Sequence, residues 1–286
     1  MPEFLLHKIP IGLWAKVFVE FLTDNFYEEF RFFSDGLDWF IQGLIFLLSA
    51  VPPVLLILII CALSYFLHRN WKLAIGVAVA LLLIVNMGYW DRTLETVALV
   101  VYSTLISCIL GIPVGIAAAH RRWLYTLLRP ILDLMQTIPT FVYLIPTLML
   151  FGLGMVPGLI STVIFAIPAP IRLTQLGIIS VPKDLLDAGE AFGASRLQLL
   201  WKVELPHALP SIMAGLTQCI MLSLSMVVIA ALVGADGLGK PVVRALNSVN
   251  IAQGIEAGLA IVIVAIVLDR LLKQPGQPIE GVEAGD

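Results

Sequence analysis

The chain has 286 residues, a net charge of −3, and 59% hydrophobic against 13% charged residues. Soluble domains carry about 25% charged residues, and a folded monomer of this size has too little interior to hide so apolar a composition. Composition therefore excludes an ordinary soluble protein, and a mean hydropathy of +0.98 makes the bilayer the solvent.

Residues 1–50 read as an N-terminal segment apart from the spans that follow. It carries Lys8, Lys16 and Arg31 against seven acidic residues, which is no footprint for nucleic acid. It also lacks an uninterrupted apolar stretch followed by a small-residue cleavage site. Trp14, Phe18, Phe21, Leu22, Phe26 and Phe30 recur at helical spacing with Asp24, Glu28 and Glu29 between them. That pattern predicts an amphipathic helix lying at the membrane surface. Residues 37–50 are open to two readings, a second surface helix or the start of a span. Pro52 and Pro53 predict a break after them.

A spanning helix needs about 20 apolar residues. Seven candidates follow, near 51–67, 73–89, 94–118, 131–152, 156–178, 208–233 and 252–269, within a transmembrane region 51–272. Basic residues mark every second loop: His68, Arg69 and Lys72; Arg121, Arg122 and Arg129; Lys183, Arg196 and Lys202; then Arg270 and Lys273. By the positive-inside rule these loops are cytoplasmic, with the N-terminus outside and the C-terminus inside. If 37–50 spans, the count becomes eight and the N-terminus moves inside. The tail 273–286, rich in Pro, Gly and acid, reads as disordered.

Ionisable residues inside a membrane are functional candidates by default. Asp133, Arg172 and Asp269 fall near cytoplasmic ends of spans, and Glu95 and Glu256 near outer ends. Asp133 and Arg172 are candidates to pair as a helix–helix tie. Phe141 and Tyr143, between Pro139 and Pro146, are candidate pathway residues, because aromatic faces attract a diffuse cation. Packing or lipid contact is the plainer role for both. Cys61, Cys108 and Cys219 lie in apolar runs and read as small buried hydrophobes; their number and scatter give neither a disulfide framework nor a metal site.

The loop 179–207 is the most informative stretch. Pro182 suits a first helical turn with Asp184 beside the positive helix end. Gly193 predicts the end of that helix. A second short helix follows through Leu197, Leu200 and Trp201, and Pro206 is expected to close it. Two short helices joined at a glycine make a rigid knob that can pass motion to a soluble partner.

Asp187-Ala188-Gly189, then Gly193, then Val203, Leu205 and Pro206 resemble the EAA motif of bacterial ABC importer permeases in every spacing. The departures are Asp187 for Glu, Gly189 for the second Ala and Val203 for Ile. The stretches 132–146, 225–231 and 256–262 resemble the glycine betaine, choline and proline branch of that family. The resemblance implies an all-α type I importer permease in the bacterial inner membrane. It implies a coupling helix around Asp187, Ala188, Gly189 and Gly193 that docks on a cytoplasmic ATPase. It also implies a second permease copy and a separate substrate-binding protein. This chain would bind no cofactor of its own, ATP being used by the partner.

Two alternatives and a decoy are weaker. An ion-driven secondary transporter calls for midplane charges and internal repeats, and neither is evident. A membrane enzyme calls for a motif, yet His7, His68, His120 and His207 stand isolated. Gly234 to Lys240 fits seven positions of a phosphate-binding loop. Pro241 stands where a hydroxyl should ligate magnesium, and the loop leaves a span rather than a strand.

Overall fold

The computed structural model describes residues 10–272. The tail 273–286 and His7 lie outside the described residues. Among the described residues all regular structure is helical.

Helix α1, Ile11–Ser49, is one element with a kink at Phe26, where φ is −128° and ψ 24°. Its second half packs on the bundle: Ile41 is buried, Tyr102 Oη donates to the Phe40 carbonyl at 2.8 Å, and Ser34 Oγ lies 3.5 Å from the Phe151 carbonyl. Pro52 and Pro53 do break the chain, with Pro53 opening α2 (Pro53–His68). After α2, Arg69 turns the chain in a left-handed conformation. The Asn70 side chain then caps α3 (Trp71–Asn86) by accepting from the amides of Lys72 and Leu73. Both α2 and α3 have 16 residues, a rise of about 24 Å each, against a hydrocarbon core of about 30 Å.

Helix α4, Trp90–His120, is followed by α5 (Arg122–Thr137) and α6 (Thr140–Phe151). The sequence predicts one kinked span over 131–152, but α5 and α6 meet at 95°. The reason is local. Ile138 precedes Pro139 and is held extended at ψ 131°, so α5 cannot run on. Helices α7 (Met155–Ala166) and α8 (Pro168–Ile179) then make one 25-residue run, the most buried of the candidate spans among the described residues. Among the described residues five helical runs are long and apolar enough to cross a membrane: Gly12–Ser49, Trp90–His120, Met155–Ile179, Arg196–Val233 and Ile251–Leu272. The bent α5–α6 pair would be a sixth.

The centre is α4, α7, α8 and α11 (Leu205–Ala230). Lipid tails are as apolar as leucine, so helices in a membrane associate by close packing and not by expulsion of water. Small residues allow that here. A Cβ on Gly115 of α4 would lie 2.6 Å from the Ile171 carbonyl oxygen of α8, and one on Gly177 would lie 2.9 Å from Ser211 Cβ of α11. Hydroxyls add directed ties: Ser103 to Ser223 at 3.0 Å, and Thr147 to Ser161 at 2.8 Å. Cys219 is buried and Cys61 and Cys108 are half-buried; none forms a disulfide.

Candidate functional site

The loop 180–204 leaves α8 and returns into α11, at the bundle end where α4 also finishes. It contains α9 (Lys183–Ala191) and α10 (Arg196–Leu199), then a π-helical turn, Leu200–Glu204. Pro182 occupies the N-cap of α9 and Asp184 its first turn, where a carboxylate is favoured by the helix dipole.

Gly193 ends α9 by a specific device. Its φ is +77°, the left-handed region that a glycine enters without Cβ strain. In that conformation the Gly193 amide donates to the Glu190 carbonyl at 2.8 Å, and the Ala194 amide to the Gly189 carbonyl at 3.1 Å. This is the paired pattern of a Schellman cap, and it satisfies carbonyls that the helix end leaves open. Two residues on, Ser195 starts α10 with a reciprocal capping box. Its amide donates to Gln198 Oε1 at 2.7 Å, and its Oγ accepts from the Gln198 amide at 3.4 Å. A C-cap and an N-cap two residues apart leave the turn little freedom.

The two helices are pressed together at Gly189. A Cβ there would meet Leu199 Cδ2 at 2.5 Å, and Leu199 is buried. Asp187 and Ala188, by contrast, are exposed. So are Leu185, Leu197 and Trp201, and above all Phe192, at 92%. The result is a small stiff knob with large apolar groups on its surface, of the kind that marks a docking site.

The expectation that Pro206 closes the second short helix is not met. From Arg196 the chain runs helically through to Val233, and Pro206 sits in the first turn of α11. Proline has no amide to donate and its ring crowds the preceding turn. The wider π turn just before it gives that ring room, so the helix bends its hydrogen bonding and continues. Val203 is half-buried in this turn, Leu205 is half-buried and Pro206 is exposed.

Asp187, Ala188 and Gly189 thus lie on α9, with Gly193 in its C-terminal cap. Sequence reasoning misses three residues. Leu199 is the partner of Gly189; Phe192 is the exposed tip; Glu204 is a buried carboxylate facing His120 at 2.9 Å. A charged residue one position before Leu205-Pro206, at the membrane edge, is the available signal for Glu204.

The other candidate residues lie elsewhere. Asp133 of α5 and Arg172 of α8 do pair, at 2.5 Å, with both side chains partly exposed. Phe141 is exposed on α6. The Tyr143 hydroxyl is already used: it donates to the Met135 carbonyl at 2.7 Å and so ties α6 to α5 across the bend. At the opposite bundle end, the glycine-rich turn 234–240 is taken up by internal contacts. Leu238 donates its amide to Thr96 Oγ1 at 2.8 Å, and Lys240 pairs with Asp236 at 2.5 Å. Gly237 has φ +124°, and a Cβ there would meet Thr96 Oγ1 at 2.7 Å. The turn leaves a helix and packs on α4, which is no cradle for a phosphate.

Residues 111–273 match the family described as the binding-protein-dependent transport system inner membrane component. This chain belongs to that family. It is a permease subunit of the inner membrane. Among its relatives, the glycine betaine transport system permease protein OpuAB of Bacillus subtilis is 46% identical over 266 residues, covering 93% of this chain and 94% of the relative. The glycine betaine/proline betaine transport system permease protein ProW of Escherichia coli is 40% identical, covering 95% of this chain and 77% of the relative. The fold resembles the inward-facing MetNI methionine ABC transporter with a TM-score of 0.56 at 24% identity, covering 62% of this chain and 91% of that one.

Proposed function

We propose that this permease forms the membrane pathway of an ABC importer for a quaternary-amine compatible solute, with glycine betaine first in the class and choline and proline beside it. The observation that carries the mechanism is the knob formed by α9, Gly193 and α10. It is inserted between two central helices, α8 and α11, so force applied to it enters the core of the bundle directly. Its exposed Asp187, Ala188 and Phe192 suit a groove on a soluble partner. The solute class is supported by the relatives, which at 46% and 40% identity are named for glycine betaine transport.

In this reading the knob is cytoplasmic and docks on a separate ATPase subunit, which uses the ATP. Two copies of this chain stand side by side, each engaging one ATPase. Closure of the ATPases on ATP moves the knobs, and α8 and α11 move with them. The pathway then changes from inward-open to outward-open, where a binding protein delivers its cargo. The permease itself need hold the solute only weakly, since tight binding would slow release.

ATP hydrolysis by the reconstituted complex tests the solute class. Adding binding protein with glycine betaine should stimulate hydrolysis. Stimulation only by an unrelated cargo such as methionine would contradict it.

A further inference from the structure

Helix α4 does not adjoin the coupling loop in sequence, yet polar contacts hold both of its ends. At the coupling end, His120 Nε2 lies 2.9 Å from the carboxylate of Glu204 in the π turn. Its Nδ1 stands 2.9 Å from the Ile116 carbonyl of the same helix. Glu204 is 8% exposed, and a buried carboxylate without a partner is costly, so the contact resists separation. The loop thus grips a third helix besides the two it connects.

The opposite end of α4 is fastened to the turn that follows α11. Arg92 Nη1 reaches Asp236 at 2.9 Å and Glu95 on its own helix at 3.1 Å. Lys240 shares the Asp236 carboxylate, and Thr96 takes the Leu238 amide at 2.8 Å. Between these fittings α4 runs 31 residues, about 46 Å, enough to cross the bilayer. Gly111 and Gly115 bring its backbone against Pro170, Ile171 and Thr174 of α8 with no slack for a methyl group. Pro113 removes one backbone hydrogen bond within α4, yet the helix runs unbroken from Trp90 to His120, and close packing transmits displacement along it.

We infer that α4 is a transmission rod, carrying displacement of the coupling loop at Glu204 through His120 to Arg92 and the outer turn at Asp236. His120, Glu204, Arg92 and Asp236 are then positioning residues for transport and touch no solute. The inference rests on the reading of the knob as the ATPase dock.

The test uses the complete complex in lipid nanodiscs, after size exclusion confirms assembly of each variant. ATP hydrolysis is measured with and without glycine betaine-loaded binding protein, and the ratio is the readout. Glu204→Leu and Arg92→Leu, which remove the acceptor and the donor, should each lower that ratio several-fold. The double variant should be no worse than either, because both interrupt one path. His120→Gln, which keeps an N–H donor toward Glu204, should retain most of the ratio, while His120→Leu should lose it. Additive losses in the double variant, or equal behaviour of His120→Gln and His120→Leu, would overturn the rod. A wild-type complex stimulated by no binding protein would contradict the transport reading instead.

Discussion

Gly189 and Leu199 are in such close contact that a methyl group on Gly189 would sit 2.5 Å from Leu199 Cδ2. This contact seats α9 directly against α10. The family motif has alanine at this position, so the chain's glycine allows a closer approach of α9 to α10. Gly189→Ala gains about 1 kcal/mol of helix propensity and costs a comparable shift of the Leu199 tip. It should transport near the wild-type rate. Gly189→Leu cannot be absorbed that way; uptake should fall at least tenfold with the protein still in the membrane. Membrane-fraction blots beside uptake rates check both.

Gly193 gives a second prediction. Its φ of +77° costs a β-branched residue on the order of 1–2 kcal/mol, and the cap bonds to Gly189 and Glu190 depend on that conformation. Gly193→Val should insert normally and lose transport. Gly193→Asn, which tolerates left-handed backbone, should keep much of it. Equal uptake by all three forms would count heavily against the knob as coupler.

Phe192 is 92% exposed beside the cap. A large aromatic at the tip of a docking element is the group expected to anchor the contact. Phe192→Ala should weaken association with the ATPase subunit by about 2 kcal/mol, roughly thirtyfold, measured as co-purification across a dilution series. Cysteines at Asp187 or Ala188 should crosslink to the ATPase. Crosslinks confined to the 234–238 turn would reverse the assigned sidedness.

The Asp133–Arg172 pair fastens the bent helix α5 to α8, which leads straight into the knob. Asp133→Arg places two cations together and should lower the melting temperature of the detergent-solubilised protein. The exchange Asp133→Arg with Arg172→Asp should restore most of that loss. A double variant as unstable as the single would show that the pair is not the fastening.

Much of this was legible in the sequence because the signals were local. Gly193 as a helix stop, Pro52-Pro53 as a break, and the rough placement of the apolar helices follow from composition and turn chemistry. What stayed hidden depends on neighbours far along the chain. The pairing of His120 with Glu204 spans 84 residues and has no periodic signature. The 95° bend at Pro139 read as a kink, because a proline signals a break without its angle. Pro206 was misleading for a related reason: a π turn, unreadable from composition, makes room for it.

Solute uptake into proteoliposomes holding the complete complex tests the central claim most directly. With binding protein outside and ATP inside, glycine betaine should accumulate, stop when ATP is withheld, and persist when ion gradients are collapsed. Accumulation that ignores ATP and disappears with the ion gradient would contradict the account.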